Sequence, residues 1–370
     1  MNIGILTGKR GGFDAMLPLI KRLEKAEWAN LFIIVCDQHM MKMFGDTHQY
    51  VKGQLHPETK ITYITAIAGN TYTNRSYNCA KVMKEMTEIC ALLDTLILYG
   101  DRGESLAAAQ AALINGVKII HLEAGEVTGT IDDPTRMAIT CMADYAFAPH
   151  EDAERRVEKL TYTTVSGDLH LDAYKDVATA EEAELWIQCY YPKPKATMQS
   201  SLKHTAIFLM HPVIEDYGDH TRLETGDFAH RVLKELVDYN YHIIAIYPCS
   251  DPGNESIIDT LHEFEGRGEA MVFKNIPGRI FRRLLTDADL MVGNSSAGIK
   301  EAPFVETISI DIGTRQEGRA RDCGVFHVRT HKNLGSTLNW IKNHTVDRAV
   351  LGERSFPYGK GNATDVVFSG

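Results

Sequence analysis

The sequence has no paired cysteine spacing, no long apolar run and no surplus of basic charge. Its seven cysteines (Cys36, Cys79, Cys90, Cys141, Cys189, Cys249 and Cys323) are scattered, and none forms a Cys-x-x-Cys unit. An odd, dispersed set in a chain of 370 residues reads as reduced thiols of a cytoplasmic protein rather than a disulfide framework. No apolar run reaches the ~18 residues of a membrane span. The opening Met-Asn-Ile-Gly-Ile-Leu-Thr-Gly runs from a short strand straight into a glycine turn, so no signal peptide is expected there. With 39 Lys and Arg against 49 Asp and Glu, the net charge is −10. That balance argues against general affinity for nucleic acid or anionic membrane, and an anionic ligand must be held by local basic or backbone groups. There is no His-Glu-x-x-His, no histidine pair at ligand spacing and no Gly-x-Ser-x-Gly. Metal-centred and serine-nucleophile chemistry therefore find no support in the motifs.

What is present is alternation. The composition, 44% apolar and 24% charged, is that of an ordinary globular protein, and the length suggests two domains. Short apolar runs at 2–7, 31–36, 96–99, 117–122, 145–148 and 163–165 alternate with helical spacing, with an irregular stretch over 45–74. The pattern breaks between 173 and 203 and restarts at 205–210, 242–247, 270–273, 289–292, 307–310 and 325–328. We expect two doubly wound α/β halves of one kind with a cleft between them. The expected divisions are 1–172, a linker over 173–203, a second domain over 204–345, and a segment over 346–370 returning toward the first.

Three carboxylates fall at the ends of successive units. Asp101 and Glu123 each close an apolar run next to glycine, and Asp132 follows on the next loop. Ligands of parallel α/β sheets bind at the carboxyl ends of strands, and neighbouring strands lie about 4.8 Å apart, so the carboxylates can share one site. Two carboxyls that close do not ionise independently. Each also has a plain structural reading: Asp101 with Glu104 resembles a capping box, and Asp132-Asp133-Pro134 a helix start. In the second half, Gly293-Asn294-Ser295-Ser296 leads a buried strand into a helix whose free N–H groups suit a pyrophosphate, with Glu301 placed to take ribose hydroxyls. The alternative is that Ser295 or Asn294 simply caps the helix. Gly8-Lys9-Arg10-Gly11-Gly12 is either an anion-binding turn or merely a tight one. His211 closes the first strand of the second half, facing the cleft; His39 has the same ambiguity with less to recommend it.

These residues resemble the UDP-N-acetylglucosamine 2-epimerase family, in particular its hydrolysing branch from sialic acid biosynthesis. The similarity is strongest at Gly100-Asp101-Arg102, at His121 to Asp133, at Tyr247 to Ser256, at Val292 to Pro303, at Gly313 to Gln316 and at Phe356 to Ala363. The Gly125 to Asp133 string is the most specific. The resemblance implies a GT-B architecture of two Rossmann-like domains, with the sugar nucleotide in the interdomain cleft. It implies acid/base roles for Asp101, Glu123 and Asp132. His211 joins them and, with Arg10, contacts the diphosphate region. Ser295 and Ser296 hold phosphate and Glu301 the ribose, while Arg102, Gly298 and Arg315 lie in matching strings of the expected UDP-binding set. It also implies no metal, no redox cofactor, a UDP-sugar as partner, and a homodimer or homotetramer. Two departures stand out. Gly11-Gly12 replaces the usual Ala-Asp, and Arg136-Met137 replaces an Arg-His pair, so a polar group near the sugar is missing. Both point toward an altered substrate, such as the diacetamido sugar nucleotide used toward legionaminic acid, or toward weakened activity. A non-hydrolysing epimerase, a GT-B glycosyltransferase and a silent UDP-sugar sensor are the competing readings. The chain also ends short of the longer final helix that the family generally shows.

Overall fold

A computed structural model describes residues 1–67, 71–130, 132–191, 204–213, 222–249, 251–343 and 355–370. Residues 192–203 of the expected linker, and 346–354 of the expected returning segment, lie outside the described residues. The chain divides into two compact units, the first comprising Met1–Val127, Ile131–Ala173 and Tyr358–Gly370, the second Thr128–Thr130 and Tyr174–Pro357.

The first unit is built on seven parallel strands: β1 (Asn2–Thr7), β2 (Asn30–Val35), β3 (Lys60–Tyr63), β4 (Thr95–Tyr99), β5 (Lys118–Leu122), β6 (Tyr145–Ala148) and β7 (Tyr162–Val165). Their order is β3-β2-β1-β4-β5-β6-β7. Parallel sheets are covered on both faces, which is why the central strands read as unbroken apolar runs. Alternation along β1 divides the core. Ile3 and Ile5 pack with Phe13, Met16 and Ile20 on one face, and Leu6 joins Leu96, Leu98 and Met86 on the other. The alanine-rich helix Gly103–Ile114 buries Ala107, Ala108, Ala111 and Ala112 on that second face. The C-terminal residues close the first face: Val367 is part of that core, and Thr364 N–H donates to Asp172 at 2.7 Å.

The second unit has six parallel strands: β8 (Thr205–Leu209), β9 (His242–Ile246), β10 (Ala270–Phe273), β11 (Leu290–Gly293), β12 (Ile308–Ile312) and β13 (Val325–Val328). Their order, β10-β9-β8-β11-β12-β13, repeats that of the first unit less one strand. Both units are thus Rossmann-like parallel sheets, as the alternation predicts. Each reverses strand order once, between β1 and β4 and between β8 and β11, and such switch points are where open α/β sheets bind ligands.

Two elements differ from expectation. β3 lies in the stretch expected to be irregular; it is an edge strand paired only with β2 and largely exposed, so it has no apolar run to announce it. The expected linker contains the helix Ala180–Tyr190, opened by a capping box between Thr179 and Glu182. Trp186 and Tyr190 of that helix pack on Phe273 of β10.

Candidate active site

In the first unit the register Tyr99↔Leu122 sets Gly100-Asp101 and Glu123 on adjacent strand ends. Gly100 N–H donates to the Leu122 carbonyl at 3.0 Å, and the Glu123 Oε2 lies 3.8 Å from where a Gly100 Cβ would stand. Glu123 has φ +67°, a left-handed backbone uncommon for a side-chain-bearing residue. Two residues on, Gly125 also has positive φ, and a Cβ there would collide with the Ala153 carbonyl. The turn that carries Glu123 is therefore pressed against the helix Glu151–Val157 at Gly125. Glu123 lines a small cavity with Tyr99, Pro149, Ser166 and Asp168.

Asp101 is paired with the guanidinium of Arg136, the largest fully buried side chain described, at 1% exposure. Arg136 Nη1 also donates to the Glu126 carbonyl at 2.7 Å and to Asp133 at 3.1 Å. Asp132 opens the helix Asp132–Met142 that carries Arg136. One arginine thereby ties the loop after β4, the loop after β5 and this helix start together. The capping box that is the structural alternative for Asp101 and Glu104 does not form. The N-cap of Gly103–Ile114 is Arg102, without a side-chain cap, and Glu104 accepts from Arg102 Nε at 2.6 Å. Met137 packs with Ala124, Ala146 and Val157, so its apolar side chain has apolar surroundings.

Arg102, expected to bind UDP, is committed to two carboxylates, Glu104 and Asp37, the latter at 2.8 Å. Burial and the Glu104 charge raise the Asp37 pKa to about 6. A Cβ on Gly8 would meet the Glu104 carboxylate. Arg10 is different. It lies over the Tyr50 ring at 4.5 Å and near Asp14 at 3.3 Å, and its Nη2 makes no hydrogen bond among the described residues. Gly11 and Gly12 sit in the first turn of the helix Arg10–Leu23 with no positive φ, and a Cβ on Gly11 would meet nothing within 4 Å. They are not there to make a turn.

Two buried histidines are structural. His39 bridges Thr7 at 2.9 Å and Thr47 at 2.8 Å, and burial pushes its pKa down to about 3. His121 meets Thr140 at 2.9 Å and donates from Nε2 to the Gly100 carbonyl at 2.7 Å; burial pushes its pKa down to about 4. Unfolded His121 takes a proton as pH falls through about 6.5, whereas the folded residue does so only near 4. Its contribution is complete above that upper value and is lost on acidification toward the lower, by about 1.4 kcal/mol per pH unit. His121→Asn should therefore flatten the fall in urea-unfolding free energy between these two pH values by about that slope. Parallel curves for the two proteins would show the assignment to be wrong.

In the second unit, Ser295 caps the helix Ser296–Phe304, accepting from Ala297 N–H at 3.4 Å. The cap reading of Ser295 holds, and the partly exposed Ser296 hydroxyl stands at the first helical position. Asn294 is not the cap; its side chain bonds the backbone of His211. The His211 Nδ1 accepts from Cys249 N–H at 3.0 Å, which places the ring proton on Nε2. Arg315 Nη1 donates to the Asn294 carbonyl at 3.1 Å. Glu301 is buried and accepts from the Tyr174 hydroxyl at 3.2 Å, a tyrosine whose pKa burial and this carboxylate push up. Gly298, expected to bind UDP, also lets the helix approach β12, because a Cβ would come within 2.7 Å of Ser309 Oγ. Sequence reasoning missed the roles of Arg136, Asn294 and Tyr174. Among the described residues no group of three or more His, Cys, Asp or Glu is arranged to hold a metal, and no helix is long and apolar enough to cross a membrane.

The chain is similar to several known proteins. A UDP-N-acetylglucosamine 2-epimerase of Neisseria meningitidis serogroup B is 30% identical over 335 residues, spanning 87% of this chain and 82% of the relative. The hydrolyzing UDP-N,N'-diacetylbacillosamine 2-epimerase of Legionella pneumophila is 27% identical over 329 residues, spanning 87% and 84%. The crystal structure of a UDP-GlcNAc 2-epimerase from Neisseria meningitidis bound to UDP-GlcNAc has the same fold, with a TM-score of 0.79 at 15% identity over 100% of this chain and 99% of that one. The profile described as UDP-N-acetylglucosamine 2-epimerase matches residues 21–369, and the chain belongs to that family.

Proposed function

We propose that the protein is a hydrolysing UDP-N-acetylglucosamine 2-epimerase, which releases UDP and free N-acetylmannosamine. The observation that carries this reading is the grouping of Asp101 and Glu123 on adjacent strand ends, with Arg136 joining Asp101 to the helix that Asp132 opens. The Gly125 to Asp133 string and the hydrolyzing relative from Legionella pneumophila support the hydrolysing branch.

The hydrogen on C2 of the sugar is not acidic while the C1–O bond is intact. As that bond lengthens the ring becomes oxocarbenium-like, and a carboxylate removes the C2 proton. The electron pair forms the C1=C2 bond of a glycal, and UDP leaves as an anion. Arg10, the Ser295-Ser296 helix start, Arg315 and the His211 Nε2–H are suited to the charge developing on the diphosphate, and Glu301 to the ribose. Water then adds at C1 while a second carboxyl returns a proton to C2 from the other face. Opposite faces require two carboxyl groups in different protonation states, a division of labour worth ~10²–10⁴ in rate.

The open space at Gly11 favours a second reading of the substrate, a UDP-diacetamido sugar, in which a further substituent uses the room beside Arg10. Glycine in a helix costs about 0.5–1 kcal/mol relative to alanine, and neither φ nor packing demands it here. Gly11→Ala is expected to raise Tm and to raise KM about tenfold for the diacetamido substrate while sparing UDP-GlcNAc. Equal KM values for both would refute a substituent in that space. Incubation with each sugar nucleotide, followed by chromatography, tests the main proposal. UDP with free 2-epimerised sugar is the expected product. An epimerised UDP-sugar, or unchanged substrate that nevertheless binds, would overturn it.

A further inference from the structure

The ladder between β8 and β11 ends at Leu209↔Gly293, where a Cβ on Gly293 would collide with the Leu209 carbonyl. One residue on, the Asn294 side chain, 1% exposed, takes over the pairing. His211 N–H donates to Asn294 Oδ1 at 2.6 Å, and Asn294 Nδ2 donates to the His211 carbonyl at 2.9 Å. The amide offers one acceptor and one donor, as a strand residue would. The Asn294 main-chain carbonyl meanwhile accepts from Arg315 Nη1 at 3.1 Å and from Gln316 Nε2 at 2.9 Å. The next residue, Ser295, caps the helix whose start is assigned to the diphosphate. Together with Cys249 N–H on Nδ1, these bonds set both the backbone and the tautomer of His211. A purely structural strand brace needs neither the arginine and glutamine on its carbonyl nor a histidine as its partner.

We infer that Asn294 is a positioning residue that holds the His211 imidazole in register with the diphosphate grip. The turnover arm of this inference rests on the function proposed above; its binding and spectroscopic arms do not. Asn294→Ala deletes both bonds to His211 and keeps the main-chain carbonyl that Arg315 and Gln316 use. Misplacing a reacting group by about an ångström can cost ~10² in rate, so kcat is expected to fall ~10–100-fold with KM and the UDP Kd within about threefold of wild type. In ¹⁵N NMR, UDP is expected to shift the His211 ring signals of the wild type and to leave those of the variant unmoved. Asn294→Asp, which keeps the acceptor but opposes the His211 carbonyl with a carboxylate, is expected to behave like the alanine variant. A parallel loss of UDP affinity and kcat would reduce Asn294 to a structural brace and overturn the inference. Unchanged kcat, or a UDP-induced His211 shift that survives in both variants, would overturn it as well. A wild type that turns over no UDP-sugar refutes the proposed function, while the UDP titration still decides the positioning role; a wild type whose His211 ignores UDP overturns that role itself.

Discussion

Glu123→Gln is expected to lower turnover of the UDP-sugar by at least ~10² while leaving UDP affinity near its wild-type value. The substitution keeps the shape and one hydrogen-bonding oxygen, and removes only the ability to take up and return a proton. Glu123 sits in a left-handed conformation, two residues before Gly125, which packs against the Ala153 carbonyl of the helix Glu151–Val157. Backbone strain of this kind costs of order 1–3 kcal/mol and persists only where surrounding structure imposes it, most often at functional sites. If Glu123 shuttles protons at C2, the variant loses kcat and not binding of the leaving nucleotide. Steady-state kinetics beside calorimetric titration with UDP measures both. Near-normal kcat removes Glu123 from the chemistry, and a collapse in UDP affinity reassigns it to binding or to folding.

Arg136→Met is expected to destabilise the first unit by about 3–5 kcal/mol, the range for removing one partner of a buried ion pair. Methionine restores much of the volume but strips Asp101 and Asp133 of their cation, and the Glu126 carbonyl of a donor held at 2.7 Å. The cost comes from leaving those groups in place without the guanidinium they share. Arg155, which pairs with Asp152 and Glu151 on the surface, makes the control. Exposed pairs contribute about 0–1 kcal/mol, so Arg155→Met should scarcely move the urea midpoint. Equal shifts for the two variants would show that Arg136 does not hold the carboxylates together.

Much of the fold was legible because parallel strands buried on both faces have to be apolar throughout, as Leu96 to Leu98 and Leu290 to Val292 are. β3 was not, because an exposed edge strand carries no such constraint. The helix Ala180–Tyr190 was missed because it buries little beyond Ala183; its Thr179-Glu182 cap was the available sign. At the site, the residue types of Asp101, Glu123 and Ser295 and their places at strand ends could be read locally. What could not be read is which side chain spends itself on which partner. Arg136 meets Asp101 across 35 positions and Asn294 meets His211 across 83, and no local spacing encodes such meetings. Nor does a motif that suits a nucleotide reveal the protein contacts of its members: Arg102 is engaged by two carboxylates, and Gly298 makes room for Ser309. Glycine next to a strand end looks the same in sequence whether ligand or protein fills the space.

The most direct test of the central claim, that separate carboxyl groups remove and return the C2 proton, is the reaction run in D₂O and followed by proton NMR. Inversion by two groups predicts UDP released together with free 2-epimerised sugar carrying one deuterium at C2. Product that keeps its original hydrogen at C2 would contradict the account.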